Sequence, residues 1–244
     1  MKKKRFPAVE IHKTITAIIV LLFISFSVHA ETIYELDFTS ASGNVKEWFE
    51  KINWEFREDI DDMNLRFEDG KLVVEPTKDE LGVMMREFDK RNYLQDVTKL
   101  HIEWGVDQYP QGADWSGPKD KKRNTREAIS FMIFFGDKKL DSGFFLAPDL
   151  PYFISFFLGE KEKPDQVYYG NYWQEGGRYL CIPCDGSTAK TIVTEINLEE
   201  KFKELFGKEQ PPVSALGIEV DVQKTGKSNG RHSKAFIKHI KLMK

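Results

Sequence analysis

An aromatic cluster late in the sequence contains the residue types best suited to holding a ligand. It mixes aromatic and hydrogen-bonding side chains: Tyr168, Tyr169, Asn171, Tyr172, Trp173, Gln174, Glu175, Arg178 and Tyr179. Sugar rings stack their C–H faces on aromatic rings, while amide, carboxylate and guanidinium groups hydrogen-bond the hydroxyls. The cluster therefore predicts a saccharide platform with these ligand-binding residues: Tyr169, Asn171, Tyr172, Trp173 and Arg178.

Strand geometry divides this cluster between two faces. Because side chains alternate along a strand, Tyr169, Asn171 and Trp173 are expected on one face, and Tyr168 and Tyr172 on the other. The alternative is that one of these rows belongs to the core, since tyrosine and tryptophan pack well inside β-sandwiches.

A second polar set comes from two segments in which apolar and polar residues alternate. His101 and Glu103 lie opposite the apolar row of residues 98–106, and Glu219 and Asp221 lie opposite that of residues 216–222. If both strands line one concave sheet, the four side chains form a polar groove floor, which adds His101 and Glu103 to the ligand-binding set. The alternative is a solvated face, which any strand wet on one side presents.

An enzymatic alternative uses Arg126, Glu127 and His101 with the tyrosine-rich segment. Polysaccharide lyases of jelly-roll fold need a general base, an acid and a group that neutralises a uronic carboxylate. Such residues occur in most chains of this length, and a fold by itself does not specify chemistry. The sequence therefore assigns no catalytic residue and favours a non-catalytic binding protein.

Cys181 and Cys184 are the only cysteines, spaced C-x-x-C. The pattern predicts a local disulfide in an oxidising compartment, with free thiols, redox activity or metal binding as alternatives. A redox-active pair favours a helix N-terminus, whereas the flanking residues indicate strand and turn. No second Cys/His pair lies at a zinc-binding spacing, so no metal site and no cofactor are expected.

The longest loop is expected from Gln108 to Thr125. Loops of this length in small domains are usually functional or disordered. We expect Trp115 to be exposed there and to contact a saccharide. The same exposed loop suits a protein-interaction domain of the cell envelope, which is a further alternative.

The elements that would position these residues are almost all strands. Residues 98–106 and 216–222 alternate, Asp69 and Gly70 predict a hairpin turn, and two apolar runs, 129–135 and 152–158, indicate central strands covered on both faces. One helix is predicted over Leu198–Phe206. The pattern predicts an all-β, jelly-roll β-sandwich with one short C-terminal helix in a crossover, formed as a single domain by residues 31–244.

The first thirty residues have the features of a signal peptide. Basic residues 2–5 precede an apolar run over 15–28, which ends in a small-residue cleavage site at Ala30. The segment holds five basic residues and one acidic residue, so cleavage changes the net charge from −3 to −7. The mature chain is expected in the periplasm or secreted, with no stable membrane insertion and no nucleic-acid partner.

Several segments resemble a bacterial exported family known as domain of unknown function 3047. The resemblance rests on residues 100–107, 110–114, 129–135 and 206–212 and on the turn at 221–226. It implies a jelly-roll domain similar to carbohydrate-binding modules, in a family without an established activity.

This chain departs from the family at two places. Thr125, Arg126 and Glu127 stand where the family has acidic residues, and Lys238 and His239 replace an Asp-Asp pair. Jelly-roll modules often bind a structural calcium through an acidic residue on that last strand. Because calcium prefers oxygen ligands, these replacements argue against such a site.

Overall fold

The computed structural model describes residues 30–116, 126–143, 148–171 and 176–244. The predicted signal peptide therefore lies outside the described residues, except for Ala30. The elements, in chain order, are β1 (Thr32–Asp37), α1 (Val45–Lys51), β2 (Glu55–Glu58), β3 (Arg66–Glu68), β4 (Lys71–Val74), β5 (Leu81–Glu87), β6 (Lys99–Gln108), β7 (Glu127–Leu140), β8 (Leu150–Phe157), β9 (Val167–Tyr168), β10 (Gly177–Cys181), β11 (Ile192–Asn197), α2 (Leu198–Phe206), β12 (Val213–Asp221) and β13 (Lys234–Met243).

The strands form two sheets packed face to face as a jelly-roll sandwich, which confirms the predicted fold class. The six-stranded sheet has the order β11-β6-β13-β4-β3. On the same side of β13, β4 pairs with its N-terminal half and β1 pairs with its C-terminal half. The seven-stranded sheet has the order β2-β5-β12-β7-β8-β10-β9. Within the described ranges, β10 and β8 are the pair that runs parallel.

The core lies between the sheets and follows the predicted alternation. In β6, the side chains of Leu100, Ile102, Trp104 and Val106 are fully buried. The indole Nε1 of Trp104 donates to Thr194 Oγ1 (3.0 Å), so burial of this polar group is matched by a hydrogen bond.

Strands β7 and β8 are buried on both faces, as their continuous apolar sequences predict. Ile133 and Phe135 point into the core between the sheets, while Met132 and Phe134 pack on the outer face of the seven-stranded sheet. This outer face therefore has its own apolar layer, which is where Trp115 is found.

The predicted helix is confirmed as α2. Asn197 Oδ1 accepts from the backbone N–H of Glu200 (3.2 Å), and Gly207 ends the helix in the left-handed conformation with φ 65°. The fully buried ring of Phe202 anchors α2 against Phe135 and Tyr152, with centroid distances of 4.9 and 5.6 Å.

The single-helix prediction is corrected by a second helix, α1. Asn44 caps it by accepting from Glu47 N (3.0 Å), and Val45 and Phe49 lie four residues apart on its buried face.

The predicted hairpin turn between β3 and β4 is confirmed, because Asp69 and Gly70 both have positive φ. Within the described ranges no helix is long and apolar enough to cross a membrane.

Candidate functional site

The predicted ligand-binding residues are divided among three places. Trp115 covers the outer face of the seven-stranded sheet, whereas Tyr169, Asn171 and Arg178 lie at that sheet's β9 edge. His101 and Glu103 lie on the outer face of the six-stranded sheet. The remaining two members, Tyr172 and Trp173, fall outside the described residues.

This arrangement rules out a single polar groove floor that contains all four acidic and histidine side chains considered from the sequence. His101 and Glu103 are on β6, and Glu219 and Asp221 are on β12 of the other sheet. Both pairs point away from the core as expected, but the outer faces of the two sheets lie on opposite sides of the sandwich. The two pairs therefore belong to separate surfaces.

Trp115 is buried rather than exposed, with 9% of its surface accessible. Its ring packs on Tyr179 and Phe157 at centroid distances of 4.6 and 5.3 Å. Its Nε1 donates to Glu127 Oε2, and its backbone N–H donates to Glu162 Oε1, both at 3.2 Å. The expected exposure is wrong because the apolar layer on β7, β8 and β10 gives this ring a packing surface.

Three acidic side chains meet beside Trp115 on the same outer face. In the pairing of β12 with β7, Glu219 is opposite Ser130, and Asp221 is opposite Glu127 across a register shift. The guanidinium of Arg126 donates through Nη1 to Asp221 Oδ2 (2.7 Å). Arg126 thus balances one of the three carboxyl groups.

Burial raises the pKa of all three carboxyl groups. For Glu127, the neighbouring Glu219 and Asp221 raise the pKa further, and the pKa of Asp221 rises to about 7 despite Arg126. A hydrogen bond between Glu127 and Glu219 raises the pKa of Glu127 and opposes the burial-driven rise in Glu219. Burial and both neighbouring carboxylates thus favour the protonated form of Glu127, whereas its hydrogen bond favours the ionised form of Glu219.

Two serine hydroxyls on this face are fully buried. Among the described residues, neither Ser130 Oγ nor Ser155 Oγ has a hydrogen-bond partner. An unpaired buried hydroxyl costs on the order of 1–3 kcal/mol, which makes this part of the sheet locally unfavourable.

The β9 edge carries a stack of rings and cations, called here the aromatic edge: Tyr152, Tyr169, Arg178, Phe206 and Lys208. The Arg178 guanidinium lies between two rings, 4.8 Å from the centroid of Tyr169 and 5.0 Å from that of Phe206. Lys208 Nζ donates to Tyr152 Oη (2.5 Å), and Tyr152 packs on Phe206 with a centroid distance of 4.8 Å. Burial lowers the pKa of Arg178, which nevertheless stays charged at neutral pH.

The alternation pattern of the sequence did not identify Tyr152, Phe206 and Lys208 as part of the aromatic edge. Strand β9 contains only Val167 and Tyr168, so the expected alternation does not extend through residues 169–171. Tyr168 is buried, and Tyr169 is 40% exposed. Phe206 and Lys208 come from the end of α2, whose proximity no local pattern indicates.

The two cysteines are joined by a disulfide, with their Cα atoms 5.5 Å apart. Cys181 ends β10 on the outer face and packs in the same apolar layer as Trp115. The bridge therefore closes a turn at the margin of this layer and lies outside the aromatic edge.

One group of side chains has the donor atoms of a metal site. His101, Glu103 and His239 each place a nitrogen or carboxylate oxygen within 4.8 Å of the others. His239 was not among the predicted site residues. The spacing of the core-facing residues in β13 could have identified it.

The comparisons with known proteins concern the fold alone. No family model and no curated protein matches this sequence, so the resemblance to domain of unknown function 3047 stays a prediction. The fold is similar to the apo form of BiXyn10A CBM1 (8% identity, TM-score 0.34, covering 88% of this chain and 99% of that chain). It is also similar to the metal-free Emp46p carbohydrate recognition domain (12% identity, TM-score 0.41, 88% and 98%) and to the agarase AgWH50C (8% identity, TM-score 0.35, 87% and 24%).

Proposed function

We propose that this protein is an exported saccharide-binding β-sandwich and that the aromatic edge is its binding surface. The observation that carries the proposal is the exposed ring of Tyr169 beside the Arg178 guanidinium, 4.8 Å from the ring centroid. An exposed ring next to a multiple hydrogen-bond donor offers both interactions that a sugar uses. Asn171, exposed two residues further on, adds an amide.

The charges at this surface favour a saccharide that carries acid groups. Arg178 and Lys208 place two cations at the aromatic edge of a chain whose mature form has a net charge of −7. A guanidinium can bind a carboxylate through two parallel hydrogen bonds. Uronic-acid oligosaccharides are therefore the ligands we would test first.

Replacing Tyr169 by alanine should weaken binding of an oligouronate at least about tenfold, equivalent to about 1.4 kcal/mol. The variant loses the ring face and one of the two rings that flank the Arg178 guanidinium. Isothermal titration calorimetry measures the change, and Tyr169→Phe should retain most of the affinity because the ring remains.

Val193→Ala is the matched control for this experiment. Val193 is the other large apolar side chain exposed in the described ranges, and it lies on β11 of the opposite sheet. If Tyr169→Ala binds every retained glycan as tightly as wild type, the aromatic edge is not the binding surface.

A second candidate function is acid–base hydrolysis by the Glu127–Glu219 pair. Carboxyl groups in direct contact divide one proton between them, as in dyads that activate a water molecule. Glycosidases instead separate their two carboxyl groups by about 5–9 Å. Glu219 is only half-buried, so solvent can reach the pair from its side.

If the pair is catalytic, Glu127→Gln should abolish turnover while leaving saccharide affinity within about twofold. Release of new reducing ends or peptide termini from a panel of polymers measures this. Glu87→Gln, which removes an exposed carboxylate on the same face, is the control. Unchanged turnover in Glu127→Gln would eliminate this candidate without touching the binding proposal.

A further inference from the structure

The outer face of the six-stranded sheet carries a group of side chains that the aromatic edge does not use. His101 and Glu103 come from β6, and His239 comes from the adjacent β13. One donor atom from each residue lies within 4.8 Å of the other two. Imidazole and carboxylate are the donors that zinc prefers after thiolate.

A register shift in β13 brings the second histidine into the group. Ile237 pairs with Trp104 and His239 pairs with Glu103, so Lys238 is the extra residue of a β-bulge. In regular pairing Lys238 would face Glu103, and His239 would point into the core. The bulge therefore gives the sheet a second imidazole on the same face.

Each imidazole is oriented by a further carboxylate. His101 Nδ1 lies 3.2 Å from Glu195 Oε1 on β11, and His239 Nε2 lies 2.5 Å from Glu35 Oε1 on β1. These contacts leave His101 Nε2 and His239 Nδ1 directed at Glu103. Metal-bound histidines characteristically give their other ring nitrogen to such a carboxylate, which fixes the tautomer and increases ligand basicity.

The distances around Glu103 suit an ion better than direct hydrogen bonds. Glu103 Oε1 is 3.4 Å from His101 Nε2 and 3.9 Å from His239 Nδ1. Both separations are long for hydrogen bonds. Ligands about 2.0–2.1 Å from a tetrahedral zinc ion lie roughly 3.3 Å apart, so small side-chain rotations would close the site.

We infer that His101 Nε2, His239 Nδ1 and the Glu103 carboxylate form a binding site for a zinc-type divalent transition-metal ion. The ligand side chains are 19%, 13% and 31% exposed, so the group is accessible from solvent. Three protein ligands leave a fourth position for water or a ligand group. Lys241 lies opposite His101 in the pairing of β13 with β6, and its Nζ binds Glu35 Oε1 at 3.4 Å, which neutralises that outer carboxylate.

Titration of tag-free protein with Zn²⁺, measured by calorimetry and by competition with a chelator, tests the site. Saturable binding of one ion is expected, and Co²⁺ should give the visible absorption bands of a four-coordinate site. His101→Gln and His239→Gln should each abolish this binding. Far-ultraviolet circular dichroism confirms that the variants fold.

Glu195→Gln tests the orienting carboxylate with little effect on folding, because this side chain is 75% exposed. It should weaken Zn²⁺ affinity about 10- to 100-fold. Asp107→Asn, which removes a carboxylate from the outer face of β6, the strand of His101 and Glu103, should leave affinity unchanged. Failure of Zn²⁺ and Co²⁺ to bind the wild-type protein would overturn the inference. So would Zn²⁺ affinities in Glu195→Gln and in both histidine variants that equal the affinity of the wild type.

Discussion

Replacing Phe202 by alanine should lower the free energy of unfolding by about 3–5 kcal/mol, the usual cost of removing a buried aromatic ring. Phe202 is fully buried and lies within 5.6 Å of Phe135, Tyr152 and Phe206, measured between ring centroids. Its removal leaves a cavity where α2 closes the end of the sandwich. Urea denaturation followed by circular dichroism measures the loss.

Leu205→Ala provides the comparison for this prediction. Leu205 is on the same helix but only partly buried, so its truncation removes less packed surface and should cost clearly less. Equal effects of the two substitutions would mean that the buried ring of Phe202 contributes no more to stability than the partly buried side chain of Leu205.

The change Glu127→Gln should raise the free energy of unfolding at pH 7, by roughly 1–3 kcal/mol. Glutamine has the shape of the protonated acid, so its Oε1 can still accept from Trp115 Nε1 and its amide can donate to Glu219. Glutamine does not ionise, so folding at pH 7 no longer carries the free-energy cost of protonating or burying a carboxylate that burial and the adjacent carboxylates disfavour.

The same groups determine how stability depends on pH. In the unfolded chain, Glu127 and Asp221 titrate near pH 4, whereas burial raises the folded-state pKa of Asp221 to about 7 and that of Glu127 well above its usual value. Between pH 4 and pH 7 the folded state therefore holds more protons than the unfolded state. The stability contribution is complete below about pH 4 and is lost as the pH rises, at most about 4 kcal/mol for Asp221.

Thermal unfolding of wild type, Glu127→Gln and the control Glu87→Gln between pH 4 and 8 tests this linkage. The midpoint of wild type should fall as the pH rises through 5 to 7, and Glu127→Gln should flatten that slope. A slope of the same size in Glu127→Gln and in wild type would show that Glu127 is already ionised in the folded protein.

Much of the fold could be predicted from local sequence pattern. The alternation of residues 98–106 identified both the strand and its buried face, because a two-residue period allows no other assignment. The Asn197 cap and Gly207 located the ends of α2 for the same reason: each terminus needs a particular residue type. Local patterns do not state which sheet a strand joins, so the sequence alone could not decide whether β6 and β12 line one groove or lie in different sheets.

The candidate sites depend on contacts between distant segments and were predicted less well. Trp115 was expected to be exposed because it lies in the longest predicted loop, but residues of β8 and β10 bury it. His239 had a detectable signal. The residues of β13 that belong to the core between the sheets are Ala235, Ile237, Ile240 and Leu242, with spacings of two, three and two. The three-residue step marks the bulge and predicts that His239 faces outward.

The short outermost strands of both sheets bear on how this protein behaves at high concentration. Among the outermost strands, β3, β2 and β9 contain only three, four and two residues, whereas β1 and β11 contain six each. β2 also carries charges at Glu55, Arg57 and Glu58. Short, charged margins offer little unpaired backbone on which another molecule can add a strand. At the margins formed by β2, β3 and β9, the protein should therefore resist the strand-to-strand aggregation to which extended sheets are prone.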